Sequence, residues 1–230
     1  MTEKDLKRFI NELNKNKAEE YIFLRPLTPG VDFATVWDHT IHPLTKVRSL
    51  FPPNSFYFIK NTDGYYVAAV SDMDYDLHWF VLPKYRGKGY LTNSLKSVIL
   101  PHLFQDNRSE QRITVDKNAI GKKNYSASIK VAKALGFIQT SNWAGKTELK
   151  ISNSNFARLP YIGGKNTTIP EERIKIIIAR AKKIGKELFK IESELEMKMG
   201  FTDEIEKIKE IVVEVKRVPD LIHDAYWFNK

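Results

Sequence analysis

Two glycines and two cations lie together where a predicted strand ends and a predicted helix begins. The run Arg86-Gly87-Lys88-Gly89 follows Leu77–Leu82, an apolar stretch of strand length that Pro83 ends. Apolar residues then recur at helical spacing from Leu91 to Phe104. Glycines let backbone amides approach a ligand closely, and the first amides of a helix favour anions. The turn is therefore predicted to bind phosphate groups, although an ordinary strand-to-helix connection with solvated lysines explains it equally well.

Predicted strands and helices on both sides must position this turn. A hairpin is predicted around Asn61–Gly64, because Asp-Gly between two β-rich runs favours a tight turn. The predicted strands are Tyr21–Leu27, Ser55–Lys60, Tyr65–Val70, Leu77–Leu82, Gln111–Val115, Phe137–Thr140 and Thr147–Ile151. The predicted helices are residues 3–17, pieces of Phe33–Leu50, Leu91–Phe104, and Tyr125–Leu135 capped by Gly136, with a loop at Asn118–Lys123.

The residues around the turn resemble the acetyl-CoA signature of the GNAT family of N-acetyltransferases. That signature is Arg/Gln-x-x-Gly-x-Gly/Ala after a strand ending in Val-x-Pro. Arg86 and Gly89 match it, and Leu91 stands where the family has a small residue. Downstream, Ser126–Phe137 is similar to the family's Asn-x-x-Ser…Leu-Gly-Phe segment. The resemblance covers residues 20–152 and implies an α+β fold, a mixed and mostly antiparallel sheet with flanking helices.

The resemblance also implies acetyl-CoA as co-substrate and specific residues to hold it, with no metal. Backbone groups near Phe80, Val81 and Leu82 would pair with the pantetheine amides. The pyrophosphate would bind the amides of Arg86, Gly87, Lys88, Gly89, Tyr90 and Leu91. Asn124 and Ser128 would line the far side of the cofactor, with Asn124 offset by one residue from the family spacing.

The base and the acid of acetyl transfer are left open by the sequence. Many family members carry a glutamate on the central strand or the next one, whereas this chain offers Asp76, His78 and Asp116 there. His78 suits proton transfer at neutral pH, and a satisfied, semi-buried histidine explains it equally well. Ala132 stands where the family often has a tyrosine acid, so Tyr125 is the nearest phenol that could substitute.

The function implied by the resemblance is acetyl transfer from acetyl-CoA to a primary amine of an unidentified small molecule, peptide or protein. Two alternatives stay open: a catalytically weakened binding or scaffold protein of the same fold, and a toxin-like acetyltransferase of aminoacyl-tRNA. Residues 1–152 hold 22 lysines and arginines against 15 acids, a net charge of +7. Nucleic acid therefore stays open as a partner, but a generally basic surface is the favoured explanation.

Composition and patterning divide the chain into a domain at 1–152, a polar linker at 153–168 and a helical hairpin at 169–230. The first hairpin helix carries a heptad stripe made of Ile174, Ile177, Ala181, Ile184, Leu188, Ile191 and Leu195. A shorter second helix, Ile205–Val215 stopped by Pro219, would leave the Ile174–Ala181 end of the stripe open. Such an open apolar end could dock on the first domain, the slightly favoured explanation, or pair with a second copy of the chain, and we predict a homodimer through these helices.

Localisation is predicted from what the sequence lacks. It has no cysteine, no apolar run long enough to span a bilayer, and a charged N-terminus without the apolar core of a signal peptide. We therefore expect a cytoplasmic protein without membrane contact.

Overall fold

A computed structural model describes residues 2–37, 54–73, 76–105, 108–155, 164 and 167–228. The chain divides into two compact units, Met1–Asn166 and Thr167–Lys230. The first is a mixed, mostly antiparallel sheet with flanking helices, and the second is a helical hairpin. The predicted α+β fold class is confirmed. None of the helices within the described residues is long and apolar enough to cross a membrane.

Eight strands form one sheet in the order β1-β2-β3-β4-β5-β6-β8-β7. They are β1 (Ile22–Thr28), β2 (Val31–Val36), β3 (Asn54–Lys60), β4 (Tyr66–Met73), β5 (Asp76–Val81), β6 (Glu110–Asp116), β7 (Ile138–Trp143) and β8 (Lys146–Ser152). All neighbouring pairs are antiparallel except β5 and β6, which are parallel. The strand that leads into the turn at Arg86–Gly89, called the glycine turn below, is therefore β5, which pairs antiparallel with β4 on one side and parallel with β6 on the other.

Helices cover both faces of this sheet. They are α1 (Glu3–Leu13), α2 (Tyr90–Ser94), α3 (Leu100–Phe104) and α4 (Lys117–Ala134), with a π-helical turn at Leu95–Ile99 that joins α2 to α3. Side chains alternate between the two faces of a strand. On β3, Phe56 and Phe58 thus pack with α1 in one apolar cluster, and Tyr57 and Ile59 join α2 and α3 in another.

Two predictions in the first unit are wrong. Phe33–Val36 belongs to β2, whose antiparallel pairing with β1 and β3 overrides the helical pattern read from the sequence. The remainder of that predicted helical stretch, residues 38–50, lies outside the described residues. The predicted loop at Asn118–Lys123 is part of α4, which Asp116 caps and which breaks locally at Gly121, where φ is 75° and ψ is 160°.

The hairpin consists of α5 (Glu171–Met199) and α6 (Asp203–Phe228), of 29 and 26 residues. Gly200 with φ of 77° ends α5, and Thr202 accepts the Ile205 N–H at the start of α6. The prediction that Pro219 stops the second helix is wrong, because α6 continues through it. Ile205, Val212 and Pro219 are buried at seven-residue intervals, so packing along one stripe outweighs the local cost of proline.

Because α6 is nearly as long as α5, the expected open end of the stripe does not exist. Ile174 and Ala181 are only 6% and 9% exposed. The stripe also has a different register, since Gly185 and Glu192 are buried while Ile184 and Ile191 are about half exposed. The specific argument for a homodimer through residues 174–181 is thereby removed.

Gly185 lies in the buried stripe of α5 and faces Val215 of α6. A Cβ at this position would lie 3.7 Å from Val215 Cγ1, an ordinary van der Waals distance. Gly185→Ala should therefore fit and raise the free energy of unfolding by about 1 kcal/mol through helix propensity. Gly185→Leu should overpack the contact and lower it by about 1–3 kcal/mol.

Both variants are compared with Ile184→Leu, a change at the adjacent exposed position, which should shift stability by less than about 0.5 kcal/mol. The measurement is the far-ultraviolet circular dichroism transition of the full chain in urea. Equal stability of the Gly185→Leu and Ile184→Leu proteins would contradict the packing.

Candidate functional site

β5 and β6 diverge immediately after they meet. Their parallel pairing has one register pair, Asp76 with Arg112, and Asp76 Oδ1 also accepts the Thr114 N–H at 2.8 Å. The Leu82 N–H donates to the Val67 carbonyl of β4 at 2.9 Å. Backbone groups alternate in direction along a strand, so the peptide groups of Val81 and Trp79 face the gap toward β6. In the gap, the edge of β5 therefore has no partner strand and faces a potential ligand.

The glycine turn lies at the end of β5. Gly87 and Gly89 have φ of 74° and 82°, in the left-handed region that favours glycine. A Cβ built at Gly87 would meet no atom within 4 Å, so its backbone is open to close approach. Tyr90 begins a helix that continues without a break through the π-helical turn to Phe104. The turn therefore has the exposed amides and the dipole end that suit a phosphate.

Arg86 connects the turn to both walls of the site. Its Nε donates to the Val81 carbonyl and its guanidinium to Asn124 Oδ1 of α4, each at 3.0 Å. The guanidinium also lies 5.7 Å from the centre of the Phe80 ring. Because guanidinium has five donors, groups remain for an anion at the turn.

A single cleft joins the strand edge, the turn and α4. It is lined by Glu3, Trp79, Phe80, Val81, Tyr85, Arg86, Gly87, Gly89, Tyr90, Leu91, Thr92, Asn124, Ala127, Ser128, Lys130, Val131 and Ala134. The structure thus brings together most of the residues expected to hold the cofactor, from β5, the turn and α4. Two of them lie outside this lining: Leu82 is buried, and the Lys88 ammonium is 5.4 Å from the centre of the Tyr85 ring.

The three candidates for proton transfer, Asp76, His78 and Tyr125, are not among the lining residues. Asp76 joins β5 to β6 through its bond to the Thr114 N–H. The Tyr125 hydroxyl is 2.6 Å from Thr147 Oγ1 and its ring packs on the apolar core. In the structure both side chains thus have partners that stabilise the fold.

His78 lies one residue before the lining and is partly buried. Its Nε2 atom is buried and has no hydrogen-bond partner among the described residues. Burial lowers the pKa of His78 below its ordinary value, while the nearby carboxylates of Glu3 and Asp76 oppose that shift. The ring is thus neutral at pH 7, in the state that accepts a proton.

Glu3 was not anticipated from the sequence. It lies in the first turn of α1 and lines the cleft beside residues of β5. Acidic residues are common in the first turn of a helix, because the helix dipole favours them there. A glutamate at this position therefore does not by itself indicate a functional site. Only the packing of α1 across β4 and β5 brings Glu3 to the site.

Comparison with known proteins gives matches among solved structures only. No protein-family model matches the chain, and no curated protein matches it. A ribosomal-protein-S5-alanine acetyltransferase from Vibrio fischeri is 14% identical over 45% of this chain and 63% of its own, with a TM-score of 0.35. A SpeG spermidine N-acetyltransferase mutant from Vibrio cholerae is 11% identical over 69% and 94%, with a TM-score of 0.41. A putative GNAT-family acetyltransferase from Bordetella pertussis is 15% identical over 42% and 65%, with a TM-score of 0.33.

The lowered pKa of His78 makes a prediction about stability. Below its ordinary value of 6.5, the unfolded chain takes up a proton at this residue before the folded chain does. The free energy of unfolding should therefore fall as the pH drops below 6.5, by at most about 1.4 kcal/mol per pH unit from this group. His78→Gln should remove this contribution, which urea titrations of both proteins at pH 5 to 8 will measure. The same pH dependence in both proteins would show that the ring is not buried in its neutral form.

Proposed function

We propose that the protein is an acyltransferase that transfers an acetyl group from acetyl-CoA to a primary amine. The observation that carries the proposal is the cleft that joins the edge of β5 at Trp79 and Val81, where the strand has no partner strand, to the turn at Gly87 and Gly89. CoA carries two amides in its pantetheine arm next to a diphosphate. Such a ligand needs a strand edge for the amides directly beside a turn that can bind the diphosphate.

Each part of the cleft has a role in this proposal. The exposed amides of the turn, with Arg86 between β5 and α4, would bind the diphosphate. The peptide groups of Trp79 and Val81 would pair with the pantetheine arm, and Asn124 and Ser128 would line its other side. Acetyl-CoA, when bound, supplies the activated acyl group and a thiol leaving group.

The placement of Asp76, His78 and Tyr125 outside the cleft lining favours a second candidate function. In that case the protein binds CoA and has little or no turnover. Release of free thiol from acetyl-CoA in the presence of amines distinguishes the two candidates, because only the enzyme produces it continuously.

Cofactor binding is tested at Gly87. Alanine there adds a Cβ to the face that a phosphate would approach and strains a backbone with φ of 74°. We expect Gly87→Ala to weaken CoA binding by at least about tenfold, equal to about 1.4 kcal/mol. Isothermal titration calorimetry with CoA measures the affinity.

The matched control is Gly64→Ala, in the turn between β3 and β4. Gly64 has φ of 80°, and a Cβ added there would likewise meet no atom within 4 Å. Both variants should lose similar stability, and only the first should lose CoA affinity. Equal CoA affinity in the wild type and both variants would place the cofactor elsewhere and remove the basis of the proposal.

A further inference from the structure

Glu3 has a position that the other described acids of the first unit lack. It is the one carboxylate among the residues that line the cleft, and the one lining residue that α1 contributes. The lining cations are Arg86 and Lys130. Within the described part of the chain, the cleft therefore has a single negatively charged side chain.

The Glu3 carboxylate is available to a ligand. It forms no hydrogen bond or ion pair with the described residues, in contrast to Asp5 and Glu12 of the same helix. Its negative charge opposes the lowering of the His78 pKa, so the two side chains interact electrostatically. Glu3 is partly exposed, so a charged ligand can reach it without a change in the fold.

The direction of β5 defines where along the cleft Glu3 acts. The strand runs from Asp76 and His78 to Val81, and the glycine turn follows it. At about 3.3 Å per residue, His78 lies about 10 Å before Val81 along the strand. A carboxylate that interacts with His78 is therefore near the end of the cleft away from the turn, where β5 and β6 meet.

We propose that Glu3 binds the ammonium group of the acceptor, so that the acceptor is an amine that is positively charged at neutral pH. This inference rests on the proposed function and names its acceptor class. A carboxylate in a cleft with apolar walls attracts a cation and offsets the cost of removing it from water. It also favours charged alkylamines over neutral amines of the same size.

The reaction balances without another reactant. The bound ammonium loses one proton to solvent, or through His78 to solvent, and the free amine attacks the thioester carbonyl carbon. A carbon–nitrogen bond forms, the carbon–sulfur bond breaks, and the bonding electrons leave on sulfur. A second proton moves from nitrogen to the thiolate, which gives the amide, CoA and one released proton.

The test compares Glu3→Gln with Glu12→Gln, which removes the same charge from the same helix. Glu12 lies outside the cleft and contacts Tyr21 and Arg8, and a glutamine keeps an oxygen that can accept the Tyr21 hydrogen bond. The acceptors are spermidine, n-butylamine and aniline at pH 7.5, where aniline is uncharged and the other two are cationic. Thiol release gives kcat/KM for each acceptor, and calorimetry gives the affinity for CoA.

We expect Glu3→Gln to lower kcat/KM at least about tenfold for n-butylamine and spermidine, through a higher KM, and to leave any rate with aniline unchanged. Glu3→Asp should recover part of the loss. CoA affinity should be equal in the wild type and both glutamine variants. If neither the wild type nor the two glutamine variants bound CoA, the proposed function itself would be overturned.

Two results would overturn this inference alone. One is identical kinetics of the Glu3→Gln and Glu12→Gln proteins with both cationic amines. The other is a wild type that binds CoA and acetylates aniline but neither cationic amine. A wild type that binds CoA and acetylates none of the three amines would instead favour the second candidate function, CoA binding without turnover.

Discussion

The divergence of β5 from β6 is the constraint on which the rest of the site depends. The register pair of Asp76 with Arg112, the ion pair between their side chains and the bond from the Thr114 N–H to Asp76 hold the two strands together at their start. Beyond that point the Val81 and Trp79 peptide groups have no partner strand, so the edge is left for a ligand or for side chains. Arg86 satisfies one of these groups, the Val81 carbonyl, and thereby fixes the turn to the edge. Divergence thus creates the gap, and the Arg86 bond to Val81 fixes the position of the glycine turn at its end.

Local signals explain what the sequence could predict. Gly87 and Gly89 in the left-handed region, the Asp-Gly hairpin at Gly64 and the cap at Gly136 all depend on the conformation of a few residues. Short-range chemistry decides such features, and single residue types report them. The turn at Gly87 and Gly89 is such an element, whereas Phe80, Asn124 and Ser128 follow from the resemblance to the GNAT family and not from local chemistry.

Contacts distant in sequence explain the rest. Glu3 reaches the cleft because α1 packs across β4 and β5, and no local pattern near Glu3 encodes that arrangement. The same holds for the hairpin, where Gly185 is buried beside Val215 and Ile184 is left exposed, although the apolar pattern predicts the reverse. α6 continues through Pro219 because the packing of this residue in the seven-residue stripe outweighs the tendency of proline to end a helix. In each case tertiary packing decided against the locally favoured interpretation.

Entry of CoA into the gap between β5 and β6, with its diphosphate at the glycine turn, is the central claim. A crystal structure of the full chain with CoA tests it most directly. We expect amide pairing of the pantetheine arm with the Val81 and Trp79 peptide groups, and a diphosphate bound by the amides that follow Arg86. A CoA molecule bound outside the gap, such as on the cationic outer face of α1 at Lys4 and Lys7, would contradict it.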